Sequence, residues 1–122
     1  MTAELAIRDL DFEAKAELDP PRLRLTGNAD GTIVASLEEL VTGLHRRLVD
    51  ARARAIAVDM RALEFMNASC FNVFVNWIGT ITELAEDQRY CLEFESNPAI
   101  PWQRRSLQTL ACFATDLVKV PG

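Results

Sequence analysis

Apolar and polar positions alternate in three short stretches of the chain and recur at helical spacing in three longer ones. "LDFEAKAEL" (10–18) alternates in part, and "LRLTG" (23–27) alternates cleanly with leucines at 23 and 25. Both read as strands, because successive side chains on a strand face opposite sides. "DPPR" (19–22) between them predicts a turn, since proline presets φ and donates nothing to a ladder. "GNADGT" (27–32) is rich in glycine, asparagine and aspartate and predicts a loop. "YCLEFES" (90–96) alternates again, and "VKV" (118–120) fits a last edge strand.

The helical stretches are "SLEELVTGLHRRLVDARA" (36–53), a segment opening at about Ser69 and running to Ala85, and "WQRRSLQTLACFATDL" (102–117). In the first, Leu37, Leu40, Val41, Leu44, Leu48 and Ala51 share one face. Ser36 followed by Glu39 has capping-box spacing. His45 sits beside the apolar stripe among arginines and reads as a solvated residue. In the second helix Phe71, Phe74, Val75 and Ile78 recur at the 3.6-residue period, with Trp77 at the core or its rim. In the third, Leu107, Leu110, Ala111 and Ala114 share a face. Its "WQRR" start puts Arg104 and Arg105 after Trp102 and Gln103, near the positive end of the helix dipole. That reads as a solvated face or a mark of an acidic partner. "RAIAVDM" (54–60) is nearly continuously apolar, as a strand buried on both faces would be, and "RALEF" (61–65) leads out of it.

The order β-β-α-β-α-β-α-β predicts an α/β fold with a largely parallel or mixed sheet of four to five strands and about three helices. At 122 residues the chain is one domain's worth, read as a single domain over 1–122. Its hydrophobic fraction of 49% and charged fraction of 25% are those of a soluble globule. The net charge of −5 disfavours nucleic acid, whose binders present a basic face. The acidic start "MTAELAIRDLDFEAKAEL" has no apolar signal-peptide core, and no stretch approaches a membrane span, so the expected location is cytoplasmic.

Candidate chemistry is sparse. There is no GxxxxGK[ST], no GxGxxG and no GxSxG. Cys70, Cys91 and Cys112 form no CxxC pair, and His45 is the one histidine, so no metal site or cofactor is expected. The cysteines read as reduced thiols, two of them packed as small hydrophobes. A serine or cysteine nucleophile needs a base, and nothing aims His45 at Ser69 or Cys70. Asp9/Asp11 and Glu38/Glu39 read as surface charges. The expectation is a protein that is not an enzyme.

The stretch "FMNASCF" (65–71), at a strand-to-helix junction, carries the more specific signal. Together with the element order it resembles the STAS domain of the anti-sigma factor antagonists. In that family a phenylalanine and an apolar residue precede Asp-Ser-Ser-Gly at a helix start. Asn67 stands at the aspartate, Ala68 at the first serine, Ser69 at the second and Cys70 at the glycine. "LTGNAD" (25–30) resembles the family's Gly-Glu-Leu-Asp turn, with Gly27 and Asp30 matching and Asn28 and Ala29 departing. The resemblance is to an atypical branch, with Asn-Ala-Ser-Cys in place of Asp-Ser-Ser-Gly. It implies phosphorylation of Ser69 by a partner kinase that doubles as an anti-sigma factor, and reversal by a PP2C-type phosphatase. It also implies a partner-binding surface at Asp30, Asn67, Ser69 and Cys70.

Two alternatives stand beside it. One is a STAS-like module that binds a partner or ligand without phosphorylation. The other is a thiol switch at Cys70, since a helix N-terminus tends to lower a thiol's pKa. Ser69 also suits an N-cap, worth roughly 1 kcal/mol.

Overall fold

The computed structural model describes residues 6–9 and 11–120. Leu10, placed above in the first strand, lies outside them, as do residues 1–5 of the acidic start. The elements are β1 (Ala6–Arg8), β2 (Phe12–Leu18), β3 (Pro21–Ala29), α1 (Val34–Asp50), β4 (Ala55–Met66), α2 (Ala68–Thr82), β5 (Cys91–Glu95), α3 (Pro101–Phe113) and β6 (Val118–Lys119). The strands form one mixed sheet in the order of the chain. β1, β2 and β3 pair antiparallel, and β3 through β6 pair parallel. The fold is the expected α/β arrangement with three helices, and β1 adds a strand that the pattern did not announce.

Each parallel step passes through a helix. Right-handed crossovers that all step in one direction lay their helices on the same side of the sheet. The burial pattern agrees. Leu23, Leu25, Ile56, Val58, Met60, Leu92 and Phe94 join the helices' apolar stripes in one core cluster. β4 is therefore not buried on both faces. Its run looked continuous because Ala55 and Ala57, on the other face, are small and apolar.

That other face is charged. Lys15, Arg24, Asp59 and Glu95 lie in register across four strands. Asp59, 4% exposed, accepts from Arg61 Nε at 3.0 Å, Arg61 Nη2 at 3.0 Å and Arg22 Nη2 at 2.9 Å. Arg22 also reaches Glu95 at 2.6 Å. The Arg61 hydrogen bonds lead the causes that hold the Asp59 carboxyl well below the usual carboxylate range, against the opposing cost of burial.

Several boundaries differ from the pattern. β3 runs on to Ala29 because Gly27, at φ +93°, lets the strand pass close to β2. A Cβ there would lie 2.0 Å from the Asp11 carbonyl oxygen. α1 begins before Ser36, so the Ser36–Glu39 pair lies inside the helix and caps nothing. Asp30 instead caps a 3-10 turn (Gly31–Ile33) that feeds α1, accepting from Thr32 N at 2.9 Å and from the Thr32 hydroxyl. His45 is half-buried, bonded to Tyr90 Oη at 2.6 Å, and not a solvated surface residue. Trp77 belongs to the core at 2% exposure.

β4 outruns β5. Their pairing ends at Asp59 with Glu95, while β4 continues to Met66. Side chains from α3 and the loop before it receive the carbonyls beyond. Gln103 Nε2 donates to Met60 O at 2.5 Å and Leu63 O at 2.8 Å. Asn97 Nδ2 donates to Arg61 O at 3.1 Å, and Trp102 Nε1 to Glu64 O at 2.7 Å. The start of "WQRR" is thus a structural tie, with Gln103 fully buried, and Arg104 and Arg105 alone form the exposed part.

Gln103→Leu keeps the volume but leaves two carbonyls and the Asn97 N–H without partners. Urea melts should show a loss of roughly 3 kcal/mol. Asp59→Asn should cost about 1.5 kcal/mol at neutral pH, the low end for charged hydrogen bonds because Arg24 and Arg61 are more than half exposed. A depressed carboxyl pKa stabilises the fold above its unfolded value, and that contribution is lost as pH falls. Melts of wild type and Asp59→Asn should therefore converge as pH drops below 3.8.

Candidate functional site

Two loops meet at the C-terminal end of β3 and β4. Asn67 N donates to Ala29 O at 2.9 Å, which ties the end of β4 to the end of β3. A Cβ on Gly31 would lie 3.3 Å from Asn67 Nδ2. Cys70 Sγ lies 3.3 Å from Asp30 O and donates to it. Asp30, Asn67, Ser69 and Cys70 are thus brought to one junction from residues some forty positions apart.

The cap of α2 is Asn67, not Ser69. Its extended backbone (φ −80°, ψ 171°) and its Oδ1, accepting from Cys70 N at 3.0 Å, meet the N-cap requirement. Asparagine supplies this cap without a charge. Ser69 falls two residues into the helix, exposed, with no hydrogen bond from its hydroxyl to the described residues. The first-turn N–H groups have no intrahelical partner, and Asn67 takes that of Cys70. Asp30 is also exposed, and its hydrogen bonds from Thr32 hold its carboxyl below the usual range.

Cys70 departs from both expectations placed on it. It is fully buried, so it cannot touch a partner directly. Burial first, and the Asp30 charge second, push its thiol up to about 11, not down as the helix dipole alone predicts. Of the other thiols, Cys91 is half-buried and Cys112 exposed, so one of the three packs as a small hydrophobe.

Phe65 is the residue that the pattern did not single out. It is 47% exposed at the end of β4, two positions before the cap. Its place in "EFMN" at a strand end was the available signal. The turn Asp30-Gly31-Thr32 was also legible as an aspartate-initiated turn. His45 is bonded to Tyr90, away from the junction, so no histidine accompanies Ser69 or Cys70 there.

An α/β domain whose mixed sheet is covered by helices on one side, with a two-loop junction at a helix start, has the architecture of the STAS-like fold. A full-length structural match gives the same answer. The crystal structure of an anti-sigma factor antagonist from Mycobacterium paratuberculosis superposes with a TM-score of 0.56 at 15% identity, covering 98% of this chain and 90% of that one. At that identity the match establishes the fold. No protein-family model matches the sequence. No curated protein matches it either. No helix among the described residues is long and apolar enough to cross a membrane.

Under native conditions Cys112 should be alkylated by iodoacetamide long before Cys70, with peptide mapping as the readout. Cys70 should become reactive with unfolding, and its native rate should stay low at pH 9, below its raised pKa.

Proposed function

We propose that this chain is a single-domain regulatory module that binds a protein partner and is switched by phosphorylation of Ser69. The partner is a serine kinase with anti-sigma-like character, and a PP2C-type phosphatase resets the mark. The observation that carries this reading is the position of Ser69: exposed, two residues into α2, its hydroxyl uncommitted because Asn67 does the capping. A kinase could reach it without opening the fold. A phosphate there adds about −2 charge at the positive end of the helix dipole. It would also stand near the Asp30 carboxylate, whose field already reaches Cys70 in the same helical turn. The surface offered to a partner would become strongly anionic with no backbone change. Similarity in fold to an anti-sigma factor antagonist supports a regulatory, non-enzymatic role.

The exposed Phe65 favours a second reading, docking of a partner without phosphorylation. A thiol switch at Cys70 is not retained, since the thiol is buried and its pKa raised.

The test is mass spectrometry of protein purified from its native cells with phosphatase inhibitors. The tryptic peptide between Arg61 and Arg89 should carry one phosphate on Ser69, absent in Ser69→Ala. Ser69→Ala should capture the kinase from a lysate, and Ser69→Asp should lose it. If Ser69 stays unmodified and Ser69→Asp binds as well as wild type, docking without phosphorylation takes its place.

A further inference from the structure

Away from the junction, three side chains form one hydrogen-bonded chain. Trp77 Nε1 of α2 donates to Tyr90 Oη at 2.7 Å, and Tyr90 Oη lies 2.6 Å from His45 Nδ1 of α1. Tyr90, just before β5, is 1% exposed. An indole nitrogen can only donate, so the Tyr90 oxygen accepts from it. The phenolic proton then goes to His45 Nδ1, the other partner at bonding distance. Burial raises the Tyr90 pKa, so that proton stays on the phenol at neutral pH. Nδ1 is therefore an acceptor, and His45 is the neutral imidazole with its proton on Nε2.

His45 also lines a cleft of about 230 Å³ between α1 and α2. The titratable groups facing it are few. α1 contributes Glu38 to the cleft, α2 contributes neutral side chains (Asn76, Trp77 and Thr80 among them), and the strand side contributes Tyr90.

We propose that His45 is a proton-sensing latch: protonation of Nδ1 unhooks α1 from Tyr90 and opens the α1–α2 cleft in acid. Protonated histidine has two donors and no acceptor. Tyr90 Oη would face two donors, and its own O–H would point at nothing in a site closed to water. Leaving a buried donor unpaired is the costly half of breaking a hydrogen bond. Moving the imidazolium into the cleft, toward Glu38, removes the second donor, and the opened cleft admits water to accept from the Tyr90 O–H. Burial already holds the His45 pKa below its ordinary value of 6.5. A depressed histidine pKa means that the native state binds fewer protons than the unfolded one. Stability from the latch is thus full above 6.5 and lost as pH falls through the lowered value.

Nitrogen-detected NMR of the imidazole tests this on the wild-type chain. At neutral pH the proton should be on Nε2. On acidification the Trp77 indole N–H should shift with the same midpoint as the His45 ring, below 6.5. Amide protection factors along α1, corrected for the intrinsic pH dependence of exchange, should fall through that midpoint. Tyr90→Phe should raise the midpoint and uncouple the indole signal. A proton on Nδ1 at neutral pH overturns the proposal. So does an indole signal indifferent to the His45 titration, or α1 protection that ignores it. The tautomer is read without any variant, so a Tyr90→Phe protein that fails to fold leaves the test intact.

Discussion

The backbone of β4 sets the terms for the rest of the structure. A strand of twelve residues beside one of five leaves a run of carbonyls with no strand to receive them. Buried backbone groups without partners are costly enough that native structures rarely leave them. Here the donors come from side chains of α3 and its approach loop: Gln103 twice, Asn97 and Trp102. Gln103 closes the arrangement by accepting from Asn97 N at 2.8 Å. Among the described residues no buried side-chain nitrogen or oxygen is left unpaired. The last residues of β4 are held in this way, and they deliver Phe65, Asn67 and Ser69 to the rim. A polar residue buried in the third helix thus helps hold the strand that leads into the second.

At that rim two electrostatic effects compete, and magnitudes decide between them. The helix dipole favours a thiolate near the N-terminus, but it is worth only about 0.3–1 kcal/mol, less than one pKa unit. Removing a thiolate from water costs more, and the Asp30 charge adds to that cost, so the Cys70 pKa rises to about 11. The Cys70 sulfur is therefore packing, and its S–H ties α2 to the β3 loop through Asp30 O. Exposure decides the opposite outcome for its neighbour. Ser69 has the same dipole behind it and water in front, so an added charge there carries no burial cost.

What the pattern revealed and what it hid follow from sequence distance. The apolar face of α1 was legible because its members recur within a few residues: Leu37, Leu40, Val41, Leu44 and Leu48 are all buried. Local rules misled where two local signals competed. Asp30-Gly31-Thr32 starts a turn ahead of the Ser36–Glu39 pair, and Asn67 outcompetes Ser69 as cap because β4 continues to Met66. The long-range ties left no local trace. Asp59 meets Arg22 across 37 residues, Arg22 meets Glu95 across 73, and His45 meets Tyr90 across 45. A histidine on the edge of an apolar stripe has the same spacing whether its ring meets water or a tyrosine.

The departures from Asp-Ser-Ser-Gly bear on how a switch at Ser69 would act. With aspartate at position 67, the cap itself would carry charge, and a phosphate two residues on would repel the group that starts the helix. Asn67 offers the same oxygen to the Cys70 N–H at 3.0 Å with no charge. Phosphate on Ser69 would then break no cap and no hydrogen bond of the serine itself. Its main electrostatic opponent at the junction would be Asp30, whose carboxylate is held ionised by Thr32. Repulsion between the two would fall on an exposed loop, not on the core. On the proposed reading a switch at Ser69 would work through the charge of a surface beneath which the buried Cys70 ties α2 to the β3 loop.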